Sequence, residues 1–366
     1  MHVICVAAAR PNFMKIKPVI DGLEALGVRT TIVHTGQHYD EAMSDVFFEE
    51  LGIRQPEYHL GAGSGSHAEQ TAKVLVGFEQ LVGSVQADAV VVVGDVNSTL
   101  SCGLVGAKAG LLVAHVEAGL RSRDWTMPEE INRVVTDRIS DLLFAPSEDA
   151  VVNLRAEGYR EDQIHLVGNV MIDTLLLNLD RASERAVWQR FDVGPGGYGV
   201  VTLHRPANVD DPSVLTGLME TLRDVSEQVP LIFPVHPRTR QTLEGLVPDH
   251  GRLTLIEPLG YLDFLGLISK AAVVLTDSGG IQEETTVLGT PCLTLRENTE
   301  RPITITEGTN LLVGRDRVAI MDGVARALSG EIEPRRPALW DGRAGARIAE
   351  VLVAAHAQPP KRPTAQ

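Results

Sequence analysis

The stretch that most narrows the fold is Val273-Val274-Leu275-Thr276-Asp277-Ser278-Gly279-Gly280-Ile281-Gln282-Glu283-Glu284. Its opening is a short apolar, β-branched run, which predicts a buried strand. Ser278, Gly279 and Gly280 break the run, and helical spacing follows from Ile281 to Leu288 until Gly289 and Pro291 stop it. A strand that turns through glycine into a helix aims the helix's first amides beyond the strand's carboxyl end. Those amides have no partner inside the helix, and the helix dipole favours an anion there. Two adjacent glycines let a phosphate approach the backbone closely. Glu283 or Glu284, one turn further on, can accept from a ribose diol. On this fragment alone, a plain βα turn with a serine N-cap is an equally good reading.

The chain has 366 residues, too many for one ordinary core, and suits two domains. Aromatics are only 4% against 44% hydrophobic residues, which favours α/β packing on Val, Ile, Leu and Ala. A net charge of −15 argues against a nucleic-acid partner, and leaves any anionic ligand to local cations and helix ends. No apolar run reaches membrane-spanning length, and Met1-His2-Val3-Ile4-Cys5 enters a strand directly, so the expectation is a cytoplasmic enzyme with no membrane partner. Cys5, Cys102 and Cys292 lie far apart in apolar runs and read as reduced core thiols, not as a metal site. No cofactor is indicated.

Polar motifs follow the strand-like runs throughout the chain. His2–Ala8 leads into Arg10-Pro11-Asn12 and a helix from about Phe13 to Leu26, with Arg10 and Lys15 flanking its amino end. Cations there oppose the helix dipole, which an anionic ligand would explain. Val28–His34 is followed by Gly36-Gln37-His38-Tyr39-Asp40, and Gly61–Ser66 reads as a mobile loop. Ala87–Val93 ends in Gly94-Asp95, and Val113–Val116 ends in Glu117. Ligands of open parallel sheets bind beyond the carboxyl ends of strands. A lone Asp95 is most simply a helix cap, but two carboxylates on different strands facing one crevice favour chemistry. Pro128 opens a helix on which Glu129 and Arg133 share a face, and spacing alone makes them a solvated ion pair. Leu142–Ala145 and Ile164–Val167 complete a first domain over 1–168, with Gly168-Asn169 as the hinge. A second domain spans 169–340, beginning with a helix over Asp173–Phe191; Tyr198–Leu203 ends in His204 and Leu231–Val235 in His236. Helices are expected over Asp316–Ser329 and Gly342–His356; the latter, within 341–357, can cross back to the first domain, and 358–366 reads as a frayed tail.

Taken together, GDVNSTL at 94–100, HVEAGLRS at 115–122, PEEINR at 128–133, DSGGIQEE at 277–284 and TERP at 299–302 resemble the non-hydrolysing UDP-N-acetylglucosamine 2-epimerases. The match runs from Arg10 to about Gly314. The resemblance implies two Rossmann-like α/β domains with parallel sheets facing across a cleft, the GT-B architecture of many nucleotide-sugar glycosyltransferases, in a homodimer. It places the diphosphate on Ser278, Gly279 and Gly280, the ribose on Glu284, and uracil near Leu259 and Phe264. Arg10, Lys15 and Arg301 would offset phosphate charge, with Arg133 and His236 also facing substrate. Asp95, Glu117 and Glu129 become acid/base carboxylates and His204 stands beside the departing diphosphate, a role for Glu129 that only the family context supplies.

The hydrogen on carbon 2 of an N-acetylhexosamine has no neighbouring carbonyl to acidify it. The implied route expels UDP to leave a 2-acetamidoglucal, then re-adds it after protonation on the opposite face. Gln37, His38 and Asp40 border a regulatory nucleotide-sugar site in relatives. Here Tyr39-Asp40 replaces an arginine and a glutamine, and Pro206-Ala207-Asn208 replaces Arg-Glu-Asn, which puts regulation in question. A glycosyltransferase of the same fold, a silent UDP-sugar sensor and an epimerase of a modified sugar remain open alternatives.

Overall fold

Seven parallel strands form the first sheet: β1 (His2–Ala7), β2 (Arg29–His34), β3 (Tyr58–His59), β4 (Ala89–Val93), β5 (Leu112–Val116), β6 (Leu142–Ala145) and β7 (Ile164–Leu166), in the order β3-β2-β1-β4-β5-β6-β7. Six parallel strands form the second: β8 (Gly199–Thr202), β9 (Leu231–Pro234), β10 (Leu253–Ile256), β11 (Val273–Thr276), β12 (Cys292–Thr294) and β13 (Asn310–Leu312), in the order β10-β9-β8-β11-β12-β13. The computed structural model describes residues 1–8, 10–36, 50–235, 240, 243 and 251–357. Both sheets are of the Rossmann-like α/β class that the motifs imply. No helix among the described residues is long and apolar enough to cross a membrane.

The central strands β1, β4 and β11 are buried along their whole length, as parallel strands covered on both faces require. In the first sheet the order reverses between β1 and β4, and their register sets Cys5 beside Val91. In the second it reverses between β8 and β11, where Thr202 lies beside Thr276 and their hydroxyls are 2.6 Å apart. Such switch points open a crevice beyond the carboxyl ends of the strands. Those ends carry Arg10, Gly94-Asp95, His204 and Asp277-Ser278.

The chain divides into two compact units, Met1–Thr174 with Ala338–Gln366, and Leu175–Pro337. The sequence sets the boundaries after 168 and after 340, and these divisions stand after Thr174 and after Pro337. The first falls inside the helix Val170–Glu184, whose leading turn is tied to the first unit: Thr174 Oγ1 donates to the Met14 carbonyl at 2.6 Å, and Asp173 accepts from the Ala344 and Gly345 amides at 3.1 and 2.7 Å. The expected helix over Asp173–Phe191 ends at Glu184, because Ala186 takes a left-handed φ of 45° before a 3-10 turn over Val187–Phe191. The helix Ala344–Ala357 belongs to the first unit and lies on the helix Arg10–Ala25. Gly345 permits that approach, since a Cβ there would fall 2.3 Å from the Pro18 carbonyl oxygen. Trp340, 1% exposed, anchors the returning segment by donating from Nε1 to the Pro146 carbonyl at 2.9 Å. In the second unit, Leu218 and Leu222 of the helix Pro212–Ser226 and Ile320 and Val324 of the helix Arg317–Leu328 cover Val201, Leu275 and Leu293 of the sheet. All three cysteines are buried and free.

Candidate active site

In the first unit, the turn after β4 brings two ion pairs to the switch point. Lys15, on the second turn of the helix Arg10–Ala25, reaches Glu117 Oε2 at 2.6 Å. Both side chains are largely buried, and Glu117 Oε1 has no hydrogen-bond partner. Glu117 holds a left-handed φ of 71°, a conformation that costs a residue with a side chain about 1–3 kcal/mol and persists only where its surroundings impose it. Gly94 makes room for the pair: a Cβ there would lie 3.3 Å from Asn12 Nδ2 and 3.6 Å from both Lys15 Nζ and Glu117 Oε2. Arg133 Nε and Nη2 both reach Asp95 Oδ2, at 3.0 and 2.6 Å, and Asn132 Nδ2 donates to the Asp95 carbonyl at 2.9 Å.

The expected pairing on the helix Pro128–Ile139 is displaced by one residue. The helix carboxylate that meets Arg133 is Glu130, whose Oε2 lies 2.6 Å from Nη1, while Glu129 stands half-buried on the opening turn. The switch exists because Glu130 also accepts from the Ser122 and Arg123 amides, at 3.0 and 2.8 Å. Burial alone would raise its carboxyl, but those amides and the Arg133 guanidinium hold it below its usual range. Beneath the site, His115 bridges the Gly94 carbonyl (2.9 Å) and Asp137 (2.6 Å), and Arg121 meets the other Asp137 oxygen at 2.7 Å. Asp137 is completely buried, yet His115 and Arg121 outweigh that burial and keep its carboxyl low. The HVEAGLRS motif is thus a scaffold that fixes Glu117 as well as a source of it.

In the second unit, Ser278 stands at the N-cap of the helix Gly279–Leu288, but its hydroxyl caps none of the helix amides. The expected side-chain cap is therefore not made by this serine. A Cβ on Gly279 would meet Glu300 Oε1 at 2.9 Å, whereas one on Gly280 would meet nothing within 4 Å. Glu300, ion-paired to Arg296 at 2.9 Å and close to Arg301, has its carboxyl held down to about 2 against its burial. Arg301 Nε meets Glu283 at 2.8 Å, and the neighbouring Glu284 lies close by in the same helix. Glu284 is 5% exposed, and burial followed by the charge of Glu283 pushes its carboxyl up to about 8. The buried Tyr261 hydroxyl has no hydrogen-bond partner, and burial and Glu284 together raise it well above its ordinary value. Leu259 and Phe264 flank that tyrosine, both half-buried.

Asp277, wholly buried, accepts from the His204 and Arg205 amides and from Asn208 Nδ2, and so shapes the segment after β8. It also lies 2.8 Å from His204 Nδ1, while the imidazole side chain is 58% exposed. Burial would raise the Asp277 carboxyl; its bonds to His204 and its neighbours lower it. An Nδ1–H donated to Asp277 leaves Nε2 for a ligand. Gln37, His38, Asp40 and His236 lie outside the described residues, as does the side chain of Arg10. Sequence reasoning missed Glu130, Asp137 and Asp277 as organising groups, although each lies in or just beyond a quoted motif.

Residues 23–353 match the family described as UDP-N-acetylglucosamine 2-epimerase. The chain belongs to that family. It is therefore an epimerase, an isomerase. The UDP-N-acetylglucosamine 2-epimerase of Methanocaldococcus jannaschii is 42% identical over 362 residues, covering 96% of this epimerase and 99% of that protein. The UDP-2,3-diacetamido-2,3-dideoxy-D-glucuronate 2-epimerase of Pseudomonas aeruginosa is 39% identical over 358 residues, covering 96% and 99%. A Methanocaldococcus jannaschii UDP-GlcNAc 2-epimerase solved in complex with UDP-GlcNAc and UDP superimposes on this epimerase with a TM-score of 0.87 at 42% identity, over 97% of this chain and all of that one. The Neisseria meningitidis UDP-GlcNAc 2-epimerase, solved bound to UDP-GlcNAc, gives 0.88 at 29% identity with 97% and 100% covered. The fold is that of these GT-B-like enzymes.

Proposed function

We propose that this epimerase interconverts UDP-N-acetylglucosamine and UDP-N-acetylmannosamine by eliminating UDP and re-adding it. The observation that carries the reading is the pair of cation-fixed carboxylates at one switch point, Glu117 on Lys15 and Asp95 on Arg133. Carbon 2 must lose a proton on one face and regain one on the other, which needs two carboxyl groups in unlike surroundings. Glu117 is buried and constrained, whereas the Asp95 side chain is 31% exposed. Glu129 is a third carboxylate of the same first unit and serves as an acid/base group with them. The uncapped amides after Ser278, with Gly279 and Gly280, hold the diphosphate; Glu284 holds the ribose, with uracil against Leu259 and Phe264. His204 Nε2 faces the departing diphosphate oxygen, where a fixed donor lowers the barrier. Arg10, Lys15, Arg301 and His236 complete the polar contacts, and Gln37, His38 and Asp40 are proposed as a weakened regulatory site. The protein acts as a homodimer in the cytoplasm; light scattering on the eluted protein checks the first point.

The test is acceptor-free turnover in deuterated water, followed by proton NMR. Deuterium should appear at carbon 2 of both epimers, and retention of the original hydrogen would overturn the elimination. The Pseudomonas aeruginosa diacetamido-glucuronate enzyme is nearly as similar as the Methanocaldococcus jannaschii one, 39% against 42%, and this near-equality supports testing a second reading in which the sugar is modified. Running both nucleotide sugars side by side separates them by kcat/KM.

A further inference from the structure

The geometry points to Glu130 as a positioning residue that aims Asp95 through Arg133, an inference that rests on the proposed elimination mechanism. Glu130 is 2% exposed and Arg133 4%. The guanidinium is gripped at both ends: Nη1 by Glu130 at 2.6 Å, and Nε with Nη2 by Asp95 at 3.0 and 2.6 Å. Two carboxylates on opposite edges fix the plane of a guanidinium, because its donors form a rigid fork. That plane in turn fixes Asp95. Glu130 is itself held by three further bonds, from the Ser122 amide (3.0 Å), the Ser122 hydroxyl (3.1 Å) and the Arg123 amide (2.8 Å). It cannot follow Arg133 if the latter moves. The order of control therefore runs from the loop at 122–123, through Glu130 and Arg133, to Asp95. Arg123 adopts a left-handed φ of 60°, so this loop is bent to deliver its amide to Glu130.

A second consequence follows from charge. With Glu130 present, Arg133 faces two carboxylates and draws on Asp95 with only part of its pull. Without that charge the whole guanidinium turns on Asp95, and Glu130 no longer helps to set the carboxylate's aim. Displacement by about 1 Å of a reacting group can cost roughly 100-fold in rate.

The experiment measures a partition ratio: free UDP plus glycal released, against epimer formed, from UDP-N-acetylglucosamine with the full-length protein. This ratio is read only from molecules that turn over, so a loss of folded protein does not alter it. Glu130→Gln should lower kcat by about 10- to 100-fold with a smaller change in KM, and should raise the partition ratio severalfold, because a misaimed carboxyl lets the glycal escape before protonation. Glu130→Asp, which keeps the charge but withdraws it by one methylene, should fall between Glu130→Gln and the wild type and carries the same test if Glu130→Gln does not fold. Ser122→Ala removes one loop bond and keeps the Arg133 pair, so its ratio should match the wild type. An unchanged ratio in both Glu130 variants overturns the positioning role, and so does a rise in Ser122→Ala equal to that in Glu130→Gln, since the Arg133 pair is then intact. If the wild type incorporates no solvent deuterium at carbon 2, the elimination reading fails first, and that result is seen independently of any variant.

Discussion

Asp95 and Glu117 are not equivalent targets for mutation. Removing the Glu117 charge strands Lys15 beside a buried amide, and breaking a buried ion pair from one side costs about 3–5 kcal/mol, so Glu117→Gln should lose stability together with activity. Asp95→Asn leaves Arg133 its second partner, Glu130, and is the cleaner test of chemistry. We expect kcat to fall by roughly 10²–10⁴ while UDP affinity, measured by titration calorimetry, changes little, since Asp95 is not among the groups proposed to hold base, ribose or diphosphate. A second residue-scale prediction concerns Glu284. Its carboxyl is raised from an ordinary 4.5 to about 8 in the folded chain. The folded state therefore holds a proton over that interval which the unfolded state has released, and stability falls as pH rises from about 4.5 to about 8. Glu284→Gln should flatten this part of the melting-temperature profile; an undiminished slope would show that Glu284 titrates normally. Because the carboxyl is mostly protonated below about pH 8, Glu284→Ala should weaken UDP by only roughly two- to tenfold, from the roughly 0.5–1.5 kcal/mol of a neutral hydrogen bond.

At the scale of elements, the helix Arg10–Ala25 that carries Lys15 packs closely on the helix Ala344–Ala357. Their contact is close because Gly22 and Gly345 lack side chains: a Cβ on Gly22 would lie 2.7 Å from the Gly345 carbonyl oxygen. Gly345→Ala cannot be accommodated by a side-chain rotation, since the obstacle is the Pro18 backbone. It should destabilise the chain by about 1–3 kcal/mol, the usual cost of overpacking, read as a lower denaturant midpoint at unchanged m-value. Little of this contact is legible in the sequence, where both glycines look like ordinary helix weaknesses. The strands were far more legible. β1, β4, β5 and β6 are apolar runs that stop at polar motifs, and their pattern survives burial on both faces. The edge strands β3 and β13 escaped because Tyr58–His59 and Asn310–Leu312 are too short to show a period. The site divides in the same way. Asp95, Glu117 and Ser278 are recognisable from their place after strands, but spacing assigned Arg133 to Glu129. The i,i+3 partner Glu130 won because a loop eight residues upstream brings two amides to it, a tertiary demand that no local pattern encodes.

For the whole molecule, the decisive quantity is the sign of its field. Asp and Glu number 48 against 33 Lys and Arg, so an anionic nucleotide sugar approaches a repulsive body. Among the described side chains, the cations near the proposed site do not reverse this locally: Lys15 is matched by Glu117, Arg133 by Asp95 and Glu130, Arg301 by Glu283, and Arg296 by Glu300. Binding must then rest on short-range donors, chiefly the uncapped amides that follow Ser278, and these act over the last few ångströms only. Long-range repulsion is screened once the Debye length shrinks to about 10 Å near 0.1 M salt. Association of UDP, followed by stopped-flow fluorescence, should therefore quicken as salt is raised from about 10 mM to about 0.1 M, whereas an electrostatically steered site would slow. Dissociation should change less over the same range, because its determinants are buried. A steep fall in the association rate with salt would mean that a local positive field outweighs the net charge of −15, and that the matched ion pairs open before the ligand arrives.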